Sequence, residues 1–274
     1  MLMKFIVVFI FLLLHCCILH AQELYVFSNP ASNIPAKSLV LKGMGKSVPS
    51  IHHAGNEYRF SPESQIGLHK NLMLTGGVSF SDMYFRNQQA FESFRVSAKY
   101  RFLSKDDVHR HFRMAAHAGY SWSDNPLVYQ ELNLEGDNGG WQTGLIATGL
   151  VNKLAVSAGV SYLNVLQTNK TIVSVFPFSN QAILYNLSTG YLLFPMKYKS
   201  YDQVNVNLYC EFLGQQNTDL NLGFIDVAPA IQLIVASKMR INAGARYQLT
   251  GSAHRMATQA YYVSVEYYLL NVFK

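Results

Sequence analysis

Most of the chain after residue 36 alternates apolar and polar side chains with a period of two. The clearest segment is Leu154–Tyr162, where one parity is apolar and the other carries alanine, serine and glycine. Phe112–Trp122, Val204–Phe212 and Met239–Leu249 follow the same rule. Successive side chains of a β-strand point to opposite faces, so the pattern predicts strands that separate an apolar from a polar environment.

Further segments alternate less regularly and bring the predicted number of strands to twelve. They span 37–42, 57–68, 71–83, 90–103, 139–151, 181–193, 225–236 and 258–270, of which the first has the weakest pattern. Pro62 and Pro229 fall inside two of them. Because proline removes a ladder hydrogen bond, we expect a bulge or a strand end near each.

Short and long connections alternate along the chain. The short or moderate ones lie around His69–Lys70, Ser104–Arg110, Asn152–Lys153, Phe194–Asp202 and Ser237–Lys238. The long, turn-rich ones are Gly43–Asn56, Asp124–Asn138, Asn164–Asn180, Gly214–Gly223 and Thr250–Ala257. Outer-membrane barrels have an even strand count, short periplasmic turns and long external loops. The sequence therefore predicts an all-β fold, a transmembrane antiparallel up-and-down β-barrel of about 12 strands with both termini periplasmic.

The first residues predict export. Lys4 precedes an apolar stretch that ends near Ala21, which is typical of a signal peptide over 1–21; lipidation at Cys16 or Cys17 is the alternative. We expect a short periplasmic N-terminal segment over 22–35 and the barrel over 36–274. No later apolar run approaches the roughly 18 residues of a spanning helix. The predicted location is the bacterial outer membrane.

Composition supports a surface that faces lipid. Charged residues make up 14% of the chain, against about 25% in soluble domains, while aromatic residues reach 13%. The basic residues behind the net charge of +6 are scattered, so we expect no nucleic-acid partner. The aromatic final strand, which ends at Phe273, is typical of a signal for barrel-insertion machinery. We expect outer-membrane lipids, that machinery and a small solute as partners of a monomer.

Several stretches also resemble a known family. They are Gln22–Phe27 with Asn29–Ser38, Ala98–Ser104 with Asp106–Ala116, and Asn205–Leu208 with Glu211–Gln215. In these residues the chain resembles an uncharacterised family of Bacteroidetes outer-membrane barrel proteins. The resemblance covers most of the chain after residue 21. It implies the location and the architecture and carries over no activity.

Catalytic motifs are missing from the sequence. No Gly-x-Ser-x-Gly elbow occurs, and the similar string Gly77–Ser81 lacks the closing glycine. Gly45, Lys46 and Ser47 match the end of a phosphate-binding loop, but Val40 stands where the first glycine is required. We therefore expect no catalytic site and no cofactor.

Two clusters are weak candidates for metal binding. His109, His111 and His117 share one parity, but polar residues near a turn explain the first two equally well. An external loop carries acidic residues without a basic one. We interpret it as a solvated loop rather than a cation site; its members are Asp124, Glu131, Glu135 and Asp137.

Charged residues on the strands fall on the inward parity. A charge facing lipid near the midplane costs about 2 to 4 kcal/mol, so this shared parity predicts a polar interior. The residues that we predict to line the lumen are Arg59, Glu63, Arg95, Lys99, Arg101, Arg113, His117, Glu211, Asp226, Arg240, Arg246 and Glu266. They either pair across the barrel and seal it, or line a narrow pore in which the basic excess favours anions.

The sequence leaves three functions open. The first is a narrow or gated pore or transporter for a small, anionic solute. The second is a structural or adhesive surface protein that acts through external loops such as Ile172–Phe178. The third is a membrane-embedded lipid hydrolase, which needs a serine and a histidine on the lipid face; the inward parity of His117 argues against it. We expect the protein not to be an enzyme.

Overall fold

The computed structural model describes residues 25–50, 54–84, 86, 88–108, 110–166, 176–195 and 203–273. These residues form twelve strands: β1 Leu39–Pro49, β2 Asn56–His69, β3 Leu72–Ser81, β4 Ala90–Asp106, β5 Arg110–Ser123, β6 Gly140–Val151, β7 Leu154–Val165, β8 Gln181–Phe194, β9 Asn205–Asn217, β10 Gly223–Val235, β11 Met239–Gly251 and β12 Gln259–Leu269. Each strand pairs antiparallel with the next, and β1 closes the barrel on β12. The predicted all-β barrel is confirmed.

Strand β1 is longer than the predicted segment 37–42. It runs to Pro49 and pairs with β12 from Leu39 to Ser47. Gly43 and Gly45 occupy outward positions of this strand, and glycine has no side chain that would give an apolar signal. Pairing with neighbours on both sides, rather than its own pattern, therefore maintains the second half of this strand.

Neither strand proline ends its strand, and the expected bulge is absent at Pro62, whereas the β10–β11 register shifts between Ile225 and Asp226, three residues before Pro229. Pro62 pairs with Gly43 on the β1 side, and the ladder is interrupted only on the β3 side, with unchanged register. Pro229 likewise pairs with Cys210 of β9, and the β10–β11 ladder is interrupted between Val227 and Ala230. The missing N–H of a proline removes hydrogen bonds to only one neighbouring strand. Pairing with the other neighbour therefore keeps each strand continuous.

The wall has an apolar outer face and a polar inner face. On β7, Val156 and Val160 are exposed outward, while Ser157 between them is fully buried on the inside. Strand β12 repeats this pattern, with Val263 exposed and Ser264 buried. Such an outer surface is stable only against lipid, because a monomer in water rarely exposes so large an apolar area.

Aromatic rings form part of a belt near the end of the barrel that carries the long loops. On the outer face of β3, β4 and β5, Phe91 packs against Phe80 and stacks on Trp122, with ring centroids 5.8 and 6.2 Å apart. Phe94 stacks on the same tryptophan at 6.0 Å. Aromatic girdles of this kind mark the level of the membrane interface.

Within the described residues, no helix has the length and apolar character needed to cross a membrane.

Candidate functional site

The N-terminal segment lies inside the barrel. We name Tyr25–Lys37 the arch. The carboxylate of Glu211, on the inner face of β9, accepts three backbone N–H groups from it: Val26 and Phe27 at 3.0 and 2.9 Å, and Ser28 at 2.9 Å. Glu211 is fully buried, so its carboxyl oxygens are matched by donors of the protein rather than by water.

Side chains from other strands bind the next part of the arch. The ammonium of Lys99 on β4 donates to the carbonyls of Pro30 and Ser32, at 2.8 and 2.7 Å. The N–H of Ala31 donates to Thr148 Oγ1 on β6 at 2.9 Å. The arch has no strand partner here, and the wall satisfies its backbone polar groups instead.

The arch enters and leaves through the end with the short turns. Tyr25 packs against Tyr209 at 5.7 Å and belongs to a cluster with Leu150, which lies next to the β6–β7 turn. Phe27 reaches Tyr262 on β12, with centroids 4.9 Å apart. The short periplasmic N-terminal segment over 22–35 stays a prediction as a division of the chain; from residue 25 the structure shows it hydrogen-bonded to inward side chains of the wall.

The connection between β5 and β6 folds into the opposite end of the barrel. We name residues 124–139 the cap. Leu127 and Leu132 of the cap are each only 1% exposed, and they pack against Leu163 and Val165 of β7 and Ala182 of β8. These apolar contacts draw the connection into the barrel rather than out into solvent.

An arginine of the wall anchors the last part of the cap. Arg59 on β2 donates to Glu92 of β4 at 2.6 and 2.7 Å and to Asp137 of the cap at 2.5 Å. Asn125 of the cap and Ser81 of β3 also donate to Glu92, at 2.6 and 2.9 Å. Burial alone raises the pKa of Asp137, but the charges of Arg59 and Lys46 hold that pKa at about 2.

A second group of charges anchors the middle of the cap. Glu131 accepts from Arg255 at 2.9 Å and from Arg246 of β11 at 3.1 Å. Both arginines also bind Asp226 of β10, Arg255 at 2.7 Å. The interpretation of the acidic loop as solvated is therefore wrong for Glu131 and Asp137. Their basic partners come from distant strands and another loop, and local sequence does not contain them.

The structure places the predicted lumen residues in three settings. Most form ion pairs with a carboxylate or a guanidinium within 3.4 Å, and these are Arg59, Glu63 with Arg95, Arg113 with Asp106, Asp226 with Arg246, and Arg240 with Glu266. Lys99 and Glu211 bind the arch. Arg101 donates to the carbonyl of Lys70 near the short-turn rim at 2.8 Å, and His117 contacts Ser161 at 3.0 Å.

Sequence reasoning missed two important members of these networks. Glu92 lies on the opposite parity to Arg95, but the β3–β4 register shifts between Ser79 and Phe80, and this bulge turns Glu92 inward. Arg255 lies in the β11–β12 connection. Together with Glu131 and Asp137, Glu92 offsets most of the basic excess that predicted an anion-preferring lumen.

The histidine clusters do not form a metal site within the described residues, where no group of three or more potential ligands converges. His109 lies outside the described residues, and His111 contacts Asp106 at 2.9 Å. The His117–Ser161 pair faces the lumen. That orientation is the wrong one for hydrolysis of a membrane lipid.

Comparison with solved structures identifies the class of fold. The chain resembles an outer-membrane channel of Pseudomonas putida F1, the COG4313 channel, with a TM-score of 0.58 at 10% identity over 89% of this chain and 100% of that one. The KdgM porin is a looser match, with a TM-score of 0.46 at 11% identity over 83% and 98% of the two chains. No protein-family model and no curated protein sequence matches. The fold is that of the outer-membrane β-barrels.

Proposed function

We propose that the protein is a gated pore for a small solute in the bacterial outer membrane, with both termini in the periplasm. One observation carries this proposal: two separate segments fill the lumen, and both are bound by wall side chains rather than by strand pairing. A barrel that serves only as a structural support does not need separate chain segments bound inside its lumen. Arch and cap together define a closed state.

Barrel size explains why inserted segments are present. About eight strands give an interior that side chains alone can fill, whereas sixteen to eighteen leave an aqueous channel. Twelve strands lie between these cases, so the wall leaves space that chain segments can occupy and vacate. Displacement of one or both segments opens the passage.

The balance of charge bears on the solute. Because Glu92, Glu131 and Asp137 pair with arginines that belong to the predicted basic excess, the closed lumen offers little net positive charge. We therefore extend the predicted solute from anions to small polar molecules in general.

Other parts of the proposal follow from the outer surface and the sequence. Outer-membrane lipids cover the apolar belt, and the barrel-insertion machinery receives the aromatic β12. We propose a monomer, as the closed wall offers no free strand edge. Membership of the Bacteroidetes family named above rests on the quoted stretches and belongs to this proposal.

The surface-protein alternative rests on the loop that includes Phe176, Pro177 and Phe178; residues 172–175 lie outside the described chain. Phe178 packs against the leucines of the cap, and Pro177 accepts a hydrogen bond from Gln130 at 2.8 Å. Phe176 stays 46% exposed. In the described part of this loop, Pro177 and Phe178 therefore contact the cap, which favours the pore.

Single-channel recording in planar bilayers tests the pore. We expect the wild-type protein to be silent or to open rarely, and Glu211→Ala to show frequent openings, because three N–H groups of the arch lose their acceptor. Asp82→Ala is the matched control, since Asp82 binds Tyr58 N–H outside the lumen. A chain without residues 25–35 should conduct continuously. Silence of this deletion and of Glu211→Ala would contradict the proposal.

A further inference from the structure

A zone of the wall between arch and cap is covered by neither segment. On the β5–β6 pair, Arg113 lies opposite Thr148 at the level of the arch, and Ser121 lies opposite Gly140 next to the cap. All four are buried. Between them, the pairs His117–Gly144 and Gly119–Gln142 face inward and remain partly accessible.

The accessible zone continues onto the neighbouring strands in register. Gly144 lies opposite Ser161 of β7, and Gly159 of the same strand lies opposite Asn186 of β8. Ser161, Gly159 and Asn186 also face inward and are only partly buried. We name this inner surface, formed by His117, Gln142, Gly144, Gly159, Ser161 and Asn186, the chamber wall.

The glycines of the chamber wall let polar side chains lie flat. A Cβ atom at Gly159 would stand 2.4 Å from Asn186 Oδ1, and one at Gly144 would stand 2.3 Å from Ser161 Oγ and 2.7 Å from His117 Nε2. Each polar group therefore occupies the place of a missing side chain. This arrangement keeps the hydrogen-bonding groups close to the wall, where His117, Ser161 and Asn186 remain partly accessible.

The chemistry of the chamber wall is uncharged. It offers one hydroxyl, two carboxamides and an imidazole, which both donate and accept hydrogen bonds. The charged groups nearby are engaged elsewhere: Glu63 binds Arg95 at 2.5 Å, and Lys99, opposite His117, binds the arch. An ionic ligand would have to be desolvated without a free counter-charge, which is costly, whereas hydroxyl groups match these partners.

We propose that the chamber wall binds a small, neutral, polyhydroxylated solute of the size of a monosaccharide or disaccharide. The inference rests on the proposed pore function and names the class of its solute. The solute lies between the arch and the cap and forms hydrogen bonds with Gln142, Ser161 and Asn186. Entry requires release of the arch or the cap, whereas selection takes place at the wall between them.

Equilibrium dialysis of the full-length protein in detergent tests this binding with three probes that share the same carbon skeleton. Radiolabelled glucose is compared with gluconate and glucosamine, which carry a negative and a positive charge. We expect saturable binding of glucose and at least tenfold weaker binding of both charged probes. Equal or tighter binding of either charged probe, or no saturable binding of glucose, would overturn the proposal.

Two matched glycine variants locate the site. Gly159→Leu projects into the chamber and displaces only the amide of Asn186, whereas Gly149→Leu projects outward from β6, where nothing lies within 4 Å of a new Cβ atom. We expect Gly159→Leu to weaken glucose binding at least tenfold and Gly149→Leu to leave it unchanged. Asn186→Leu repeats the test without a new Cβ atom and serves if Gly159→Leu does not fold, which gel mobility before and after boiling reveals. Wild-type glucose affinity in the folded inward variants would refute the chamber.

The pore and the chamber fail in different ways. If the chain without residues 25–35 conducts ions but glucose does not bind, the chamber is wrong and the pore stands. If glucose binds and Gly159→Leu abolishes the binding while no variant conducts, the pore is wrong and the chamber is a binding site of another kind.

Discussion

The arch and the cap close the same lumen by different physical means. The arch is bound mainly through its own backbone, which donates to Glu211 and Thr148 and accepts from Lys99. The cap is bound through side chains, with buried ion pairs to Arg59, Arg246 and Arg255 and leucines packed on β7 and β8.

This difference indicates which closure moves. When the arch leaves, its backbone groups exchange the wall for water, and two wall charges, Glu211 and Lys99, must be hydrated in its place. Removal of the cap breaks several buried ion pairs and exposes apolar surface at the same time, and each stranded charge is costly. We infer that the arch is the gate and that the cap is a fixed constriction, which narrows the other end of the lumen without sealing it.

The largest expected effect comes from breaking the anchor of the cap. Arg59→Met leaves Glu92 and Asp137 buried without their cation, which should lower the free energy of unfolding by about 3 to 5 kcal/mol. Urea titration in detergent measures this change. Arg101→Met is the control, because its exposed rim contact should contribute about 0.5 kcal/mol or less. Similar unfolding midpoints for the two variants would mean that Arg59 does not anchor the cap.

Release of the arch should be a smaller and more local event. Glu211→Ala removes the acceptor of three N–H groups, an expected loss of about 2 to 4 kcal/mol in arch binding. The measurement is the rate at which a water-soluble maleimide labels Ser28→Cys in a Cys210→Ser background, with and without Glu211→Ala. We expect at least tenfold faster labelling and little change in global unfolding. Equal labelling rates would mean that Glu211 does not hold the arch.

Acid should loosen the cap only at low pH. An unperturbed aspartate titrates near 3.8, whereas the charges of Arg59 and Lys46 hold the pKa of Asp137 at about 2 against the opposing effect of burial. Because the pKa of Asp137 is lower in the folded state, its charge stabilises the folded protein fully above about pH 3.8. This stabilisation is lost as the pH falls towards 2. The loss should approach about 2 kcal/mol. Urea midpoints between pH 5 and 2 measure it, and Asp137→Asn should flatten this part of the profile.

The strands were predictable because their pattern is local. A period of two and the alternation of connection lengths depend only on residues near each other in the chain, and they gave the strand count and the closed topology. The second half of β1 was missed because Gly43 and Gly45 carry no apolar signal. Its pairing partners lie at Tyr261–Leu269, at the far end of the sequence.

The filling of the lumen was not predictable in the same way. The cap was interpreted as a solvated loop because its acidic residues have no basic neighbour in sequence; Arg59 and Arg246 meet them only after the barrel closes. A signal was present in Leu127, Leu132 and Leu134, which are too apolar for a connection exposed to water. The arch gives a weaker signal, since most of its hydrogen bonds are made by backbone groups that every residue possesses, and only Tyr25 and Phe27 pack on the wall through large side chains.

Because β1 closes on β12, the strands of the wall form a ring in which no strand is structurally the first. The N–H of Val272 donates to the carbonyl of Lys37 at 2.9 Å, so the two ends of the wall meet. A circular permutant that begins in the β7–β8 connection keeps every strand pair and turns the arch into a linker between β12 and β1. In such a chain the arch is tethered at both ends and cannot leave the lumen. A permutant that still opens would therefore show that the arch opens the pore by shifting within the lumen.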